Sequence, residues 1–480
     1  MTARPDLSKL TSKEKDALIY ALLDRIDQLT AIVHKQEDRI KELERRLGLD
    51  STNSGKPPSS DGYKKPPRVN NQREKTGKKS GGQEGNSGAT LRQAANPDKI
   101  VDHYPSACQG CGHGLGQRHA IGHRKRQVMD LPKPQPLEVT EHRAHDCVCP
   151  SCGTKTGAAF PEDVGAPVQY GPNIIALVVY LKTWQLIPED RLSELMKDIF
   201  GVDIAPSTLA GMEQKKADEL SSLAERIGEE VKAAEVKHLD ETGYRIAKVL
   251  QWLHVASTWL LTFYRTSPRR GSLLAGVRGI IVHDFWKPYF AMQGVVHGLC
   301  NAHHLRELKA LIAIDKEPWA EAMQRLLREA CHASNLARER KEKLKRRDRA
   351  RFLARYDRII RKGLAFHIRL VSLSATDVKR RGPAKRLKGH NLLLRMKNHK
   401  AEVLRFLTNP DVPFTNNQAE RDIRMMKLKL KISGCFRSEK GAQTFATLRT
   451  VLSTARKQGW NVFDTLSHSP DVLIKKLRTA

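Results

Sequence analysis

Residues 238–246 read His-Leu-Asp-Glu-Thr-Gly-Tyr-Arg-Ile and place an acidic pair inside a pattern that is typical of a β-strand. Two further β-like runs follow at 251–257 and 259–265. Two interpretations of Asp240 and Glu241 are open at this point. The pair belongs either to a polar turn or bulge in an edge hairpin, or to a site in which Asp240 holds a divalent cation against the phosphate of a polyanion.

The charge of the chain favours a polyanionic partner. Its 480 residues include 84 Lys and Arg against 53 Asp and Glu, a net charge of +31. Nucleic acid is the commonest partner of so basic a protein. A membrane surface is the competing target, but the sequence has no lipidation motif or basic amphipathic anchor. The amino terminus lacks the apolar core of a signal peptide, so we expect a cytoplasmic protein, nucleoid-associated if bacterial.

A heptad repeat occupies residues 18–47. One seam is mostly β-branched, and the other is Leu with one Gln, which favours a two-stranded parallel coiled coil. The seams are Ile19, Ile26, Val33, Ile40 and Leu47, and Leu22, Leu29, Gln36 and Leu43. We predict dimerisation through this segment, and the alternative is an amphipathic helix packed on its own domain.

Two Cys-x-x-Cys pairs indicate a zinc site. Cys108 and Cys111 form the first pair, and Cys149 and Cys152 form the second after 37 intervening residues. Each pair is followed by Gly, which permits a tight turn, and four thiolates supply the tetrahedral ligand set of a structural Zn²⁺. Cys147 is an alternative ligand, and a redox pair is a further alternative. Eight cysteines are too few for a disulfide scaffold of this size.

The segments on either side of the cysteine pairs predict a linker and a helical region. The stretch from residue 50 to about 96 is rich in Gly, Pro, Ser, Asn, Lys and Arg, and it is typical of a flexible basic linker. Helices are predicted at 173–186, at 189–200 and from 207 onward. The turn at 201–205 has the length that joins the second and third of these helices as a helix-turn-helix. Such a pair of helices either reads DNA or only packs within the protein.

Further strands and a basic segment are predicted downstream. A short helix is predicted at 267–276, and a buried strand follows at 279–284 and ends in Asp284. Another short strand is predicted at 295–300. The segment 338–400 contains 23 Lys and Arg against 5 Asp and Glu. This single-signed excess favours a phosphate-binding surface over a face of internal ion pairs.

Glu420 lies near the start of a late predicted helix. With Asn417 as N-cap, Glu420 takes the third position of a capping box, which is a purely structural interpretation. A different interpretation follows from the order of three carboxylates. Asp240 lies on the first strand of a predicted meander, Asp284 ends a later strand, and Glu420 lies on a late helix. This order resembles the ribonuclease H-like fold of DDE transposases and retroviral integrases.

Several motifs narrow the resemblance. They are His-Leu-Asp-Glu-Thr at 238–242, Cys-Asn-Ala-His at 300–303, Asn-Asn-Gln-Ala-Glu-Arg at 416–421 and the linker sequence at 53–61. Together with the heptad and the cysteine pairs, they resemble the insertion-sequence sixty-six group of bacterial transposases over essentially the whole chain. One departure is Asn86 in the linker, where the family pattern has His.

The resemblance implies a multidomain α+β protein with a ribonuclease H-like α/β catalytic domain. It implies that Asp240, Asp284 and Glu420 hold Mg²⁺ or Mn²⁺, cleave the ends of a mobile element and transfer the freed 3′ ends into target DNA. His303 and Arg421 are implied as supporting residues, and a structural role is the alternative for His303. The rival functions are a non-catalytic DNA-binding regulator derived from such an enzyme and a ribonuclease H-like nuclease without strand transfer.

The predicted partners are DNA at the element ends and at the target, further copies of the chain joined by the coiled coil, and accessory proteins of the same element.

Glu241 is expected to face away from Asp240, because neighbouring strand residues point to opposite sides. The predicted division is a coiled-coil dimerisation segment at 1–49, a basic linker at 50–97, a zinc-binding domain at 98–165, a helix-turn-helix-like DNA-binding region at 166–232, the first part of the catalytic domain at 233–306, a basic helical insertion at 307–412 and the last part of the catalytic domain at 413–480.

Overall fold

The computed structural model describes residues 11–49, 93–131, 134, 137–271, 274–373 and 386–479. Most of the predicted linker at 50–97 lies outside the described residues. The chain divides into two compact units, one made of the described parts of Met1–Gln72, Ala166–Leu192 and Ala205–Ala480, and the other of those of Arg73–Gly165 and Ser193–Ile204. Among the described helices, none has the length and apolarity to cross a membrane.

A single long helix, α1 (Ser12–Leu47), covers the predicted heptad. A capping box fixes its start, because the hydroxyl and the backbone N–H of Thr11 both donate to the Glu14 carboxylate, at 2.7 and 2.8 Å. Near its end, Arg45 pairs with Asp315 at 3.0 Å. The large apolar seam residues are all exposed: Ile19, Leu22, Ile26, Leu29, Val33, Ile40, Leu43 and Leu47. The helix therefore presents a long apolar stripe to solvent.

The unit that holds the cysteine pairs contains a small antiparallel ribbon. Its strands are β1 (Asp146–Val148) and β2 (Lys155–Gly157). The turn between them carries the second cysteine pair. Cys147 lies within β1, where it faces Thr156 in the register of the ribbon.

Between β2 and the central sheet the described residues form the α-helices α2 (Pro172–Val179), α3 (Glu189–Phe200), α4 (Pro206–Glu219) and α5 (Ser221–Ala233). The helix predicted at 173–186 leaves the α form after Val179 and continues as a π-helical turn over Tyr180–Trp184. The single helix predicted from residue 207 is divided in two at the buried Leu220. Pro206 takes the first position of α4, where its missing N–H costs nothing.

The central sheet has five strands: β3 (Val236–Ile246), β4 (Val249–Ser257), β5 (Thr262–Ser267), β6 (Gly279–His283) and β7 (Val295–Leu299). Their order is β5-β4-β3-β6-β7, with β3, β4 and β5 antiparallel and β3, β6 and β7 parallel. Asp240 pairs with Val255 and Gly243 with Trp252, so β3 runs unbroken through the acidic pair. The polar-turn interpretation of this pair is wrong, since β3 lies at the centre of the sheet.

The short helix predicted at 267–276 is also wrong, because Ser267 ends β5 and the other described residues of this segment form bends, turns and irregular backbone. Pro268 opposes continuation of a regular ladder, and Gly276 has a φ of +75°, which favours a turn over a helix. The chain returns from this segment to β6 beside β3.

The remaining helices are α6 (Asn301–Ala313), α7 (Pro318–Glu339), α8 (Arg346–Leu373), α9 (Lys388–Asn398), α10 (Lys400–Val403), α11 (Arg405–Thr408), α12 (Asn417–Ile432), α13 (Glu439–Gln458), α14 (Val462–Thr465) and α15 (Pro470–Lys476). Helices α6 to α9 share one apolar core that includes Trp319, Tyr356 and Met396. Thr450 and Thr454 on α13 accept the backbone N–H groups of Tyr264 and Thr262, each at 3.0 Å. This helix therefore covers the edge strand β5.

Candidate metal-binding active site

The sheet itself brings two of the predicted carboxylates together. Asp240 lies on β3, and Asp284 directly follows β6, its parallel neighbour. The register of the two strands pairs His238 with Val282. Continued by two residues, this register brings Asp240 level with Asp284.

Asn416, directly before α12, fixes the start of that helix against β3. Its side chain is buried, its Nδ2 donates to the carbonyl oxygen of Leu239 at 2.7 Å, and its Oδ1 lies 2.9 Å from His238 Nδ1. These two residues directly precede Asp240 on the strand. Asn416 thus ties the first turn of α12 to the strand segment that carries the first carboxylate.

Glu420 lies in that first turn. The helix begins at Asn417, so Glu420 is its fourth residue and Asn416 is the N-cap. The predicted capping box with Asn417 as N-cap is therefore wrong. The Asn416 side chain makes no cap bond, because its amide is bonded to the strand instead. Glu420 therefore does not cap the helix, and the position of α12 sets where its carboxylate lies.

The charges of the neighbouring carboxylates act on Asp240, although the ligand atoms of Asp240, Asp284 and Glu420 do not all lie within 4.8 Å of one another. The pKa of Asp240 is raised to about 8, mainly by burial and additionally by the charges of Glu241, Glu420 and Asp284. The backbone N–H of Glu241, which donates to Asp240 at 2.9 Å, acts in the opposite direction. Each carboxylate disfavours the charge on its neighbours, and a bound cation would relieve this repulsion.

Asp284 is held in place by the loop that follows β6. Its Oδ1 accepts the backbone N–H of Trp286 at 2.9 Å. Burial raises the pKa of Asp284, and the Glu241 charge adds to that rise, whereas the Trp286 bond, His303 and Arg270 lower it. The side chain is thereby oriented without being neutralised by a close ion pair.

His303 and Arg306, both on α6, lie beside Glu420. His303 Nδ1 is 3.9 Å from Glu420 Oε1, and Arg306 Nη2 is 3.9 Å from Oε2. The sequence did not predict a role for Arg306. Its position one helical turn after His303 could have indicated that both side chains face the same carboxylate. Arg421 is exposed and donates to Gln418 at 2.8 Å. The structure therefore places His303, and not the Arg421 guanidinium, against the Glu420 carboxylate.

Glu241 is bound to protein groups rather than open to a ligand. Its carboxylate accepts two bonds from Arg270, at 2.9 and 2.6 Å, and one from the Tyr289 hydroxyl. The guanidinium of Arg270 in turn stacks over the Trp286 ring, with 4.1 Å to its centroid. Only 2% of the Glu241 side chain is exposed. Its oxygens are occupied, even though its charge reaches both Asp240 and Asp284.

The two cysteine pairs adopt the same turn. The backbone N–H of Cys108 donates to the carbonyl oxygen of His113, and that of Cys149 donates to the carbonyl oxygen of Thr154. In each turn the glycine after the second cysteine is left-handed, with φ of +74° at Gly112 and +72° at Gly153. Such turns are knuckles that aim amide groups at the thiolates of a zinc ion.

The thiols of these knuckles are suited to a metal. Backbone hydrogen bonds from Cys111 and Gly110 lower the pKa of Cys108, and hydrogen bonds with Thr154 and Cys149 lower the pKa of Cys152. A lowered pKa favours the thiolate, which is the form that binds zinc. Each knuckle gathers its own pair, but among the described residues no three of the four sulfurs lie within 4.8 Å of one another.

Comparison with known families identifies the chain. Residues 167–444, more than half of its length, match the family described as Transposase IS66 family. The chain belongs to the IS66 transposase family. The resemblance carried by the motifs around Asp240, Cys300 and Glu420 is thereby confirmed. Residues 105–153 match the zinc-finger binding domain of transposase IS66, which contains all four knuckle cysteines and supports a structural zinc.

Two further comparisons concern other parts of this IS66 family chain. Residues 2–92 match a family of unknown function (DUF6444). Over 68 residues the chain is 37% identical to the uncharacterized protein y4jO of Sinorhizobium fredii, a match that covers 14% of this chain and 21% of that protein. The chain thus spans about a fifth of the length of this relative.

The segment that matches the IS66 transposase family contains the whole five-stranded sheet and all three carboxylates. It also contains Asn416 and Cys300, which the sequence placed in family motifs without a role. The structure gives both a position. The N–H of Asn416 donates to the Cys300 sulfur at 3.1 Å, so these residues join the end of β7 to the start of α12.

Proposed function

We propose that this IS66 family protein is a DNA transposase that cleaves the ends of a mobile element and joins them to target DNA through Asp240, Asp284 and Glu420. The observation that carries the proposal is that β3, the end of β6 and the first turn of α12 each supply a carboxylate, and that the charges of Asp284 and Glu420 act on Asp240. The strand order β5-β4-β3-β6-β7, with three antiparallel and three parallel members sharing β3, supports a ribonuclease H-like catalytic domain.

The carboxylate set fits a hard divalent cation. Three oxygen-bearing side chains that repel one another need a positive charge between them, and carboxylate oxygens suit Mg²⁺ or Mn²⁺. Asp240, Asp284 and Glu420 would hold such ions, which would supply activation of the attacking hydroxyl and stabilisation of the leaving oxygen of a phosphodiester. The Trp286 N–H orients Asp284, and Asn416 holds the helix that carries Glu420. Arg270 and Tyr289 keep Glu241 out of the metal site.

Basic helices support a DNA-binding role for the segment at 307–412. Helix α8 carries a row of exposed cations: Arg346, Arg347, Arg351, Arg358, Arg361 and Lys362. Few carboxylates oppose them, although Arg355 pairs with Glu329 at 2.5 Å. Such an excess attracts phosphates without reading sequence. We assign the reading of terminal repeats to the zinc-binding domain and to α3 and α4.

The function is tested by incubating the protein with Mg²⁺, DNA that carries the element's inverted ends and a target plasmid. Joined products that disappear when EDTA removes the cation are expected. Cutting without joining would favour the nuclease, and binding without cutting would favour the regulator. A matched reaction with scrambled end sequences separates end recognition from general DNA cleavage.

We also propose that α1 pairs with a second copy of the chain. Its exposed seam of β-branched residues and Leu matches the a and d positions of a parallel dimer. Ile26→Lys with Leu29→Lys should convert the dimer to a monomer, because two charges would enter the buried seam. Light scattering after size exclusion measures the mass. Ala31→Lys, on the outer face, should leave the dimer intact, and a monomeric wild type would overturn the proposal.

Cys108, Cys111, Cys149 and Cys152 are proposed as the zinc ligands. Loss of two thiolates removes half of a tetrahedral ligand set, so Cys149→Ser with Cys152→Ser should release the structural zinc. Metal analysis of the purified protein measures it. Cys435→Ser, at an exposed cysteine outside the knuckles, is the matched control. Unchanged zinc in the double variant would contradict this ligand set.

A further inference from the structure

A second set of metal-ligand atoms lies next to the carboxylates. Cys300 Sγ, a ring nitrogen of His303 and a carboxylate oxygen of Glu420 all lie within 4.8 Å of one another. Among the described residues, no other set of three His, Cys, Asp or Glu side chains meets this distance. Both Cys300 Sγ and His303 Nδ1 are 3.9 Å from Glu420 Oε1. The side chains come from the end of β7, the first turn of α6 and the first turn of α12.

Cys300 Sγ donates a long hydrogen bond to Glu420 Oε1, whereas the distance from His303 to Glu420 fits a shared ion better than a direct bond. An N–H···O hydrogen bond spans about 2.7–3.2 Å, so 3.9 Å is too long for one between His303 and Glu420. Ligands of a tetrahedral zinc, at about 2.3 Å for sulfur and about 2.0–2.1 Å for nitrogen and oxygen, lie roughly 3.3–3.6 Å apart. A contraction of a few tenths of an ångström would bring Cys300 Sγ and His303 Nδ1 to that spacing from Glu420 Oε1, and the separation between Cys300 and His303 is already within 4.8 Å.

The His303 ring supplies an independent observation. Its Nδ1 is buried, and it has no hydrogen-bond partner among the described residues. A buried polar atom without a partner is costly and calls for an explanation. This nitrogen faces the oxygen of Glu420, so a cation between them would satisfy both.

Burial and the charge of Glu420 raise the pKa of the Cys300 thiol to about 12, so the thiol is protonated until a metal displaces its proton, while nearby backbone groups offset part of this rise. The residue is buried and directly precedes α6, whose N-terminus favours negative charge. The backbone N–H of Asn416 donates to its sulfur at 3.1 Å. The knuckles of the zinc-binding domain aim amides at their sulfurs in the same way. On binding a metal, the Cys300 thiol would release its proton to solvent.

We propose that Cys300, His303 and Glu420 form a soft-metal site for Zn²⁺ or a similar ion, and that an ion bound there withdraws Glu420 from Asp240 and Asp284. Sulfur and nitrogen select such ions over Mg²⁺, which prefers oxygen. Three protein ligands leave the fourth position to water. The withdrawal of Glu420 rests on the proposed function, whereas the binding of the ion does not. Zinc would therefore act as an inhibitor of the catalytic carboxylate set.

The binding is tested by cobalt titration of full-length protein whose knuckles have been loaded with zinc. The wild type should take up one further equivalent of Co²⁺ and show thiolate-to-cobalt charge-transfer absorption. Cys300→Ser and His303→Ala should bind this ion about 100-fold more weakly or worse, and Cys300→Ser should also lose the absorption band. Cys331→Ser, on α7, is the matched control and should behave as the wild type.

The result that would overturn the site is equal cobalt uptake and absorption in the wild type and Cys300→Ser. The second readout is the Mg²⁺-dependent joining reaction, compared with each protein's own zinc-free rate. Low Zn²⁺ should inhibit the wild type, and Cys300→Ser should require roughly tenfold more. Inhibition that is the same in both proteins would overturn the withdrawal of Glu420. If cobalt binding depends on Cys300 but the protein joins no DNA, the proposed metal site is supported and the proposed transposase function is refuted.

Discussion

Asp240→Asn is expected to abolish Mg²⁺-dependent cleavage and joining while leaving the affinity for end DNA unchanged. Asn keeps the shape of the side chain but removes the charge that a divalent cation needs from its ligand. The loss of rate should be on the order of 1,000-fold or more, since charge stabilisation by the metal is the main source of catalysis in such a site. The surfaces proposed to bind DNA lie on other elements, so the substitution leaves them unchanged.

The same substitution should make the protein more stable in the absence of metal. Asp240 is surrounded by the charges of Glu241, Glu420 and Asp284, and burial adds to the cost of its ionisation. A neutral amide removes both penalties. We expect the thermal midpoint to rise by a few degrees, as for a gain of about 1 kcal/mol. If Asp240 instead supported the fold, Asp240→Asn would lower the thermal midpoint.

Three measurements on one preparation decide the matter: the joining rate with Mg²⁺, and the affinity for end DNA and thermal unfolding, both in Mg²⁺-free buffer that leaves the knuckle zinc in place. Glu225→Gln removes an exposed carboxylate on α5 and should change none of them. Loss of end binding together with a lower thermal midpoint in Asp240→Asn would show that this residue supports the fold. Full activity would exclude it from the metal site.

Asp422→Ala is expected to cost about 3 kcal/mol of folding stability, because it breaks a buried ion pair. Asp422 Oδ2 accepts Lys457 Nζ at 2.7 Å and the Ser257 hydroxyl at 2.6 Å. Both partners of the ion pair are nearly enclosed, with 12% and 14% of their side chains exposed. Without Asp422, Lys457 keeps only carbonyl acceptors for its charge, and the Ser257 hydroxyl loses its partner.

The position of Asp422 gives this loss a functional consequence. The residue lies two positions after Glu420 on α12 and ties that helix to β4 and α13. Joining activity should therefore fall less at low temperature than near the unfolding transition, because the carboxylate set itself is intact. This behaviour differs from that of Asp240→Asn, which removes activity at every temperature.

Urea unfolding followed by circular dichroism measures the stability loss. Asp422→Ala with Lys457→Met should recover part of it, because no unpaired charge is left buried. Glu225→Ala, on the exposed face of α5, controls for the removal of an acidic side chain. A loss below about 1 kcal/mol, which is typical of exposed pairs, would show that solvent screens the Asp422–Lys457 pair.

The sequence alone predicted where the strands lie along the chain and to which family the chain belongs. Alternating or continuous apolar runs predicted β3, β4 and β6, because side-chain burial in a sheet has a short period that is visible locally. The family motifs around Asp240 and Glu420 were sufficient for the resemblance that the family comparison confirmed. The helix at 267–276 was predicted wrongly, since a few polar residues around Gly and Pro carry no clear period.

Only the tertiary structure decided which of the conspicuous side chains have free ligand atoms. Asp240 and Glu241 are adjacent acidic residues, yet Arg270 and Tyr289 occupy the second and not the first. Glu420 had an equally plausible role in a capping box, and it was removed from that role by contacts that join residues 177 and 178 positions apart. Hydrogen bonds over such separations leave no periodic trace in a sequence, because they depend on how the sheet and helices pack.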